Sequence, residues 1–250
     1  MPLKEVEIRT QDGTSDSVLI YPEGQGAWPG ILYFTDIAGI RPSNRDSAAR
    51  LSKQGYVVLM PNIFYRNGRA PQTPPFRELD AESRPKRIAE LSGPLTPDAM
   101  EADASTYIDF LTSQPQTRKG GTDTKTIAAV GHCFSGKMAM HAAAVRPEQV
   151  AAVASFHGGG LYTNAPTSPH LLLPRIKAQL YFGHATDDRS MPAEAIAKFE
   201  EALKRWEGKY ESETYGAQHG WTSSDSPVYN QIQAERAYGK LLELLHATLR

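Results

Sequence analysis

The hydrophobic pattern of the chain alternates between short apolar runs and longer segments in which apolar residues recur at helical spacing. The short runs have the length and composition of buried strands, and they occupy residues 30–35, 56–60, 126–131, 150–156 and 178–183. The predicted helices occupy residues 43–54, 97–113, 192–205 and 229–249, and one more begins shortly after residue 133. This alternation predicts an α/β protein with a mostly parallel central sheet and helices on both faces.

Three further segments with a different pattern are also predicted to be strands. Residues 4–10 and 17–21 are predicted to form two strands joined by a turn at Asp12 and Gly13. Residues 209–215 alternate between polar and apolar side chains, as an outer strand does.

Residues 62–95 stand apart because they are rich in proline and charge and show little periodicity. A long irregular segment inside a compact domain is usually functional. We therefore expect a flap or substrate loop within a single domain that spans residues 1–250, a length that suits one α/β domain.

Composition narrows the choice of partners and location. The net charge is -1, and 40% of the residues are hydrophobic, which favours neither nucleic acid nor an anionic membrane. The N-terminal residues lack the apolar core of a secretory signal, and no apolar run has membrane-spanning length. We expect a cytoplasmic protein without nucleic-acid or membrane partners, present as a monomer or small homo-oligomer.

The only cysteine of the chain is Cys133, so no internal disulfide can form. The sequence contains neither an H-E-x-x-H motif nor a cluster of cysteine and histidine, and we expect neither a metal nor another cofactor.

The segment around Cys133 runs from an apolar strand through a tight turn into a helix. The strained backbone of a nucleophile elbow needs small neighbours two residues to either side, and Gly131 and Ser135 meet that need. Gly136 allows the helix to pack close to the strand. The helix dipole favours the thiolate of Cys133, and the N–H of Phe134 is placed to bind a developing oxyanion. The pattern favours a nucleophilic cysteine over a buried structural one.

The acid and base of an α/β-hydrolase triad follow the nucleophile in that order along the chain. Asp187 and Asp188 lie on the loop after the strand at residues 178–183, and we prefer Asp188 as the acid, with Asp187 as a solvated or capping neighbour. His219 lies in a glycine-flanked loop between the outer strand and the last helix. The order Cys133, Asp188, His219 therefore predicts a catalytic triad.

Residues 157–160, His-Gly-Gly-Gly, have the composition of the oxyanion loop of lipases. That loop precedes the nucleophile in lipases, whereas this run follows Cys133. We therefore expect residues 157–160 to line the pocket, where backbone approaches the substrate.

At these residues the chain resembles the dienelactone hydrolase (carboxymethylenebutenolidase) family of the α/β-hydrolase superfamily, over nearly its whole length. The segments that carry the resemblance are residues 33–42, 131–136, 188–192 and 219–221. The resemblance implies an α/β-hydrolase fold and a Cys-His-Asp triad. It also implies that the N–H of Ile37 joins that of Phe134 in the oxyanion hole, and that Asp36, where the family usually has glutamate, modulates the resting thiol.

The substrate-binding positions depart from the family pattern. Members that act on dienelactone hold its carboxylate with two arginines, and one of these positions is Ser223 here. Arg66 and Arg69 are the candidates for the other, and Trp221 is a further candidate substrate contact. Ser135 also replaces the usual glycine of the elbow.

The hypothesis is a hydrolase that cleaves a dienelactone-like ester or lactone through a thioester acyl-enzyme on Cys133. One alternative is a general small-acyl carboxylesterase of the same fold. Another is a non-catalytic thiol redox sensor, and a third is a binding module without turnover. Asp188 and His219 argue against the sensor, because a sensor needs neither.

Overall fold

The computed structural model describes residues 1–72, 74–120 and 125–249. These residues group into two compact units, Met1–Lys119 and Gly120–Arg250. Each unit combines strands with helices, and most strand pairs are parallel, so the predicted α/β class is confirmed. The single-domain organisation stays a prediction.

The first unit contains four strands within its described residues. They are β1 (Leu3–Thr10), β2 (Gly13–Ile20), β3 (Gly30–Phe34) and β4 (Val57–Pro61). Their order is β1-β2-β4-β3. Strand β2 is antiparallel to both of its neighbours, whereas β3 and β4 are parallel. Every residue of β3 and β4 is buried, which explains their continuous apolar sequence.

The helices of the first unit are α1 (Pro42–Lys53), α2 (Ser83–Ser92) and α3 (Pro97–Ser113). Helix α3 begins at the predicted residue, because Thr96 caps it. The Thr96 side chain accepts a hydrogen bond from the N–H of Ala99 at 3.2 Å, and Pro97 has the fixed φ of a first helical residue.

The segment at residues 62–95 contains more regular structure than its sequence pattern predicted. It includes two 3₁₀ turns and the whole of α2. Only Leu91 is buried in α2, so the helix lacks the apolar stripe that reveals a helix in a sequence. Its start is held by Asp80, whose side chain accepts hydrogen bonds from two backbone N–H groups at 3.0 and 2.7 Å. The flap or substrate-loop role of this segment stays a prediction.

The second unit contains four strands in its described residues, and their order follows the chain. They are β5 (Ile127–His132), β6 (Val150–Phe156), β7 (Gln179–Asp187) and β8 (Tyr210–Gln218). All adjacent pairs are parallel. Its helices are α4 (Gly136–Val145), α5 (Ala193–Trp206) and α6 (Gln231–Thr248).

Each strand of the second unit ends immediately before a residue singled out in the sequence. Cys133 follows β5, His157 follows β6, Asp188 follows β7 and His219 follows β8. Because parallel strands end at the same edge of a sheet, these four residues meet at one edge. The predicted strands near Asp188 and His219 were too short, since β7 and β8 continue up to the residues before them.

Candidate active site

The elbow at Cys133 has a left-handed backbone conformation, with φ at 58°. A non-glycine residue in that region costs about 1–3 kcal/mol and persists only where its surroundings enforce it. A Cβ on Gly131 would lie 2.3 Å from the carbonyl oxygen of Ser135, and one on Gly136 would lie 2.2 Å from the hydroxyl of Ser155. Both glycines are therefore required by close approach, as the sequence pattern predicted.

Ser135, which replaces the usual glycine of the resembled family, closes the elbow with its side chain. Its hydroxyl accepts a hydrogen bond from the N–H of His132 at 2.9 Å and donates one to the carbonyl of His132 at 3.0 Å. The residue is fully buried. The serine thus satisfies two backbone groups at the end of β5 that would otherwise need partners.

The side chain of His219 lies within hydrogen-bonding distance of both Cys133 and Asp188. Nε2 of His219 is 3.0 Å from Sγ of Cys133, and Nδ1 is 2.7 Å from Oδ2 of Asp188. The other carboxylate oxygen of Asp188 accepts hydrogen bonds from the N–H and the hydroxyl of Ser190, at 2.8 and 2.6 Å. The carboxylate of Asp188 is therefore held on both oxygens, and the imidazole of His219 is oriented toward the thiol.

The structure distinguishes the two candidate acids. Asp188 is buried, whereas Asp187 is exposed. The backbone carbonyl of Asp187 accepts the His219 N–H at 3.4 Å. The carboxylate that contacts the His219 ring is that of Asp188.

The charges of the site favour a protonated imidazole. Burial disfavours the cation, but the hydrogen bonds to Asp188 and Cys133 and their negative charges outweigh it and raise the pKa of His219 to about 10. Burial acts in the opposite direction on Asp188, and the hydrogen bond and charge of His219 nevertheless lower the pKa of that carboxyl. At neutral pH the arrangement therefore favours an imidazolium at His219 beside the carboxylate of Asp188.

Lys137, a cationic residue that was not among the predicted site residues, lies one helical turn after Cys133. Lys137 is half-buried in the first turn of α4, and its Nζ lies 3.9 Å from the centre of the Phe134 ring. Burial lowers the pKa of Lys137, and the negative charge of Cys133 opposes that shift. A lysine in the first turn of a helix is unfavourable because its charge opposes the helix dipole. This unfavourable placement is the feature of the sequence that could have identified Lys137.

The residues predicted to modulate the thiol and complete the oxyanion hole lie in the first unit. Asp36 forms a two-bond ion pair with Arg41, at 2.6 and 2.7 Å, and its Oδ1 also accepts the N–H of Ala38 at 2.9 Å. Both Asp36 and Ile37 are buried. Their predicted roles toward the thiol and the oxyanion stay predictions.

The two candidate arginines have different surroundings. Arg66 is mostly buried, and its guanidinium pairs with Asp12 and with Asp103, each at 2.7 Å. Arg69 is exposed over 70% of its side chain and pairs with Glu7 at 2.7 Å. A substrate carboxylate would have to compete with two carboxylates for Arg66 but with only one solvated carboxylate for Arg69. The substrate-binding role of each stays a prediction.

Trp221, the third candidate substrate contact, is fully buried. Its ring stacks on Tyr215 with 4.4 Å between centroids and meets His157 edge-on at 6.0 Å. These contacts fix the loop that follows His219. A direct contact between Trp221 and substrate stays a prediction.

The described residues contain neither a candidate metal site nor a helix that could span a membrane. Residues 1–72, 74–120 and 125–249 contain no group of three or more histidine, cysteine, aspartate or glutamate side chains placed to hold a metal ion. Within the same part of the chain, no helix combines the length and the apolar character needed to cross a membrane.

Known proteins resemble this chain over most of its length. Residues 16–249 match the model of the dienelactone hydrolase family. A protein of Synechocystis named "Putative carboxymethylenebutenolidase" is 25% identical over 249 residues, which cover 98% of this chain and 96% of that protein.

Solved structures show the same fold. A dienelactone hydrolase from Anabaena variabilis is 20% identical, with a TM-score of 0.68 over 100% of this chain and 99% of its own. A dienelactone hydrolase-like promiscuous phosphotriesterase from metagenomic libraries is also 20% identical, with a TM-score of 0.78 over 99% of this chain and 98% of its own. The chain therefore has the α/β-hydrolase fold that the resemblance implied.

Proposed function

Because this chain belongs to the dienelactone hydrolase family and is accordingly a hydrolase acting on esters or lactones, we propose that it acts through a thioester acyl-enzyme on Cys133. The observation that carries the proposal is the pair of contacts made by His219, 3.0 Å to the thiol of Cys133 and 2.7 Å to the carboxylate of Asp188. An imidazole between a nucleophile and an orienting carboxylate is the arrangement that nucleophilic catalysis requires.

In the proposed acylation step, the Cys133 thiolate attacks the carbonyl carbon of the ester or lactone. The N–H groups of Phe134 and Ile37 stabilise the oxyanion as the C–S bond forms. The carbon–oxygen bond to the leaving group then breaks, and the imidazolium of His219 donates its Nε2 proton to the leaving oxygen. Asp188 keeps Nδ1 protonated and the ring in place throughout.

In the proposed deacylation step, neutral His219 accepts a proton from water as the water oxygen attacks the thioester carbonyl. The second tetrahedral intermediate collapses, the C–S bond breaks, and the acid product leaves. Cys133 departs as thiolate beside the imidazolium of His219, so the starting charges are restored.

Asp36 is proposed to modulate the resting thiol, and its ion pair with Arg41 bears on that role. The guanidinium of Arg41 contacts both carboxylate oxygens of Asp36, at 2.6 and 2.7 Å, and such a two-bond contact has a specific geometry. We propose that Arg41 fixes the side chain of Asp36 in one position, which compensates for a side chain shorter by one methylene than the glutamate usual in the family.

The proposed substrate is a small ester or lactone of the dienelactone kind. Arg66, Arg69 and Trp221 are the proposed contacts for the part of the substrate distant from the scissile bond. Arg69 is the stronger candidate for a substrate carboxylate, since its guanidinium is exposed and Arg66 is paired on two sides. A general small-acyl carboxylesterase, which has no preference for a carboxylate, is the alternative within the same mechanism.

The test compares hydrolysis of dienelactone and of p-nitrophenyl acetate by the wild-type protein and by Cys133→Ala and Cys133→Ser. We expect both variants to fall to the uncatalysed rate with the simple ester. Turnover of dienelactone would establish the substrate class, and turnover of the simple ester alone would favour the general esterase. Hydrolysis that survives in Cys133→Ala would contradict the nucleophile.

The redox sensor is separated from the hydrolase by a second measurement. Mild peroxide followed by mass spectrometry reports oxidation of Cys133, the single cysteine of the chain. A sensor would be oxidised readily and hydrolyse neither ester. We further propose a cytoplasmic monomer or small homo-oligomer without a nucleic-acid partner, for which light scattering and fractionation are the direct tests.

A further inference from the structure

Residues 157–160 form backbone contacts with both the nucleophile elbow and the loop of the acid. The N–H of Gly159 donates to the carbonyl of Cys133 at 3.2 Å, and the N–H of Gly160 donates to the carbonyl of Ser190 at 2.8 Å. A Cβ on Gly159 would lie 2.7 Å from the Ser190 hydroxyl. The glycines therefore allow one segment to contact two loops whose side chains form the site.

The side chain of His157 extends this set of contacts to the loop of the base. His157 is fully buried and has a left-handed backbone with φ at 41°. Its Nε2 lies 2.7 Å from the hydroxyl oxygen of Thr222, three residues after His219. The same oxygen lies 3.1 Å from Nδ1 of His132, at the end of β5.

The direction of these hydrogen bonds follows from the charge of His157. Burial, together with the positive charges of His219 and His132, lowers the pKa of His157 well below its ordinary value, so the ring is neutral and carries one N–H. Within the described residues its Nδ1 has no hydrogen-bond partner, and a buried N–H without an acceptor is costly. The proton therefore belongs on Nε2, which donates to the hydroxyl oxygen of Thr222.

The ring of His157 also contacts the base itself. The rings of His157 and His219 lie 5.0 Å apart at an interplanar angle of 65°, close to an edge-on contact. A neutral ring in this position restricts the rotation of His219 without adding a positive charge beside the imidazolium.

We propose that His157 and Thr222 are positioning residues that hold His219 in the orientation that reaches Cys133. This inference rests on the proposed function, because it assigns an orientation to the proposed base. It adds to the expectation that residues 157–160 line the pocket, because the segment also connects the loops of the proposed nucleophile, acid and base. None of these contacts requires His157 to touch the substrate, so it is not a catalytic residue.

The matched variants are Thr222→Val, which keeps the shape and removes the hydroxyl, and Thr222→Ser, which keeps the hydroxyl. We expect Thr222→Val to lower kcat for p-nitrophenyl acetate by up to about 10²-fold, since a small misplacement of a catalytic group has effects of that size. The dissociation constant of the ester, obtained from the dependence of the burst rate on ester concentration, should change by less than about twofold, because binding of the ester does not depend on the orientation of His219. Thr222→Ser should remain close to the wild type.

A readout independent of turnover is the pH dependence of alkylation of Cys133 by iodoacetamide, for which the chain offers a single site. The wild type and Thr222→Ser should react at mildly acidic pH, because the imidazolium stabilises the thiolate. Thr222→Val should react slowly there and recover at alkaline pH. If Thr222→Val does not fold, Thr222→Ala is compared with Thr222→Ser in the same way.

Kinetics and an alkylation profile of Thr222→Val that match those of the wild type would overturn the positioning role. A lower melting temperature with unchanged values of both would also overturn it, since that is the signature of a merely structural contact. Failure of the proposed function has a different signature, namely hydrolysis that persists in Cys133→Ala. The alkylation profile tests the positioning role even in that case.

Discussion

The Cys133 site and the cluster around Arg66 are both partly buried groups of ionisable side chains, one in each compact unit, and they differ in how their protons can move. In the first unit, Arg66 pairs with Asp12 and Asp103, and Asp103 also accepts the hydroxyl proton of Tyr65 at 2.9 Å. A guanidinium does not release its proton in proteins. The cation of this cluster therefore compensates its carboxylate partners and cannot transfer a proton to them.

The Cys133 site has the opposite character. Nε2 of His219 faces a thiol 3.0 Å away, and the proton between them can belong to either group. The thiol itself sits on a strained backbone with φ at 58°. Burial and ion pairing are common to both regions, so neither identifies an active site. We propose that a transferable proton beside a strained cysteine does.

Of the changes that test this contrast, removal of the proposed base His219 is expected to have the largest effect. We expect His219→Asn to lower kcat/KM for p-nitrophenyl acetate by about 10²–10⁴-fold, since general acid–base catalysis contributes that much. The melting temperature measured near pH 9 should change little. Activity of His219→Asn within about twofold of the wild type would remove the distinction between the two regions.

Breaking the Arg66 cluster should have the reverse signature. We expect Asp103→Asn to destabilise the fold by about 3 kcal/mol, because removal of one partner leaves a buried charge poorly compensated. Burial already raises the pKa of Asp103 and Arg66 opposes that shift, so the carboxylate depends on its partner. Denaturant unfolding gives the stability, and kcat/KM per folded molecule should stay near the wild-type value.

Arg66→Met provides the matched test of the predicted substrate role of Arg66. If Arg66 has only a structural role, Arg66→Met should lower the stability of the fold and leave KM unchanged for both charged and neutral esters. A raised KM for a carboxylate-bearing ester, without loss of stability, would assign Arg66 to the substrate and make the cluster part of the binding site.

A smaller effect is expected in the pH dependence of stability. The pKa of His219 is raised to about 10, so the stabilisation from its partners is fully present below the unfolded value of about 6.5 and is lost as pH rises toward 10. The lowered pKa of Asp188 adds stabilisation that is lost only in acid, as pH falls through that value. The difference in melting temperature between wild type and His219→Asn should be largest near pH 5–6 and shrink toward pH 10. A difference that grows with pH would contradict the protonated imidazole.

The smallest effect is expected at Lys137. Lys137→Met keeps the length of the side chain and removes its charge, whereas Lys137→Arg keeps the charge. We expect Lys137→Met to slow alkylation of Cys133 at mildly acidic pH by less than about tenfold, because the ammonium is only half-buried and partly screened. Equal rates for Lys137→Met and Lys137→Arg would show that the charge has no role near the thiol.

Local patterns in the sequence identified much of the fold and of the candidate site. The spacing of Gly131, Cys133 and Gly136 predicted an elbow because each glycine is needed by contacts within a few residues or with the next strand. The start of α3 was predicted because Thr96 and Pro97 act on their own helix. Such features depend on neighbours along the chain, and a single sequence contains them.

Features that depend on distant residues were not predictable in the same way. His157 and Thr222 are 65 residues apart in sequence, so the contact of residues 157–160 with the loop of the base follows only from the fold. The two carboxylate partners of Arg66 are likewise distant, at positions 12 and 103. Helix α2 was missed for a different reason, since it buries one residue and its amino-acid pattern is that of a solvated segment.

The central proposal is the acyl-enzyme on Cys133, and the most direct test is to trap it. Wild-type protein is mixed with p-nitrophenyl acetate, quenched in acid within the first turnover, digested and mapped by mass spectrometry. The predicted result is an acetyl group on the peptide that carries Cys133, formed together with a burst of p-nitrophenol and absent from Cys133→Ala. Steady hydrolysis without a burst, with no acetyl group on that peptide and with the rate retained in Cys133→Ala, would contradict the proposal.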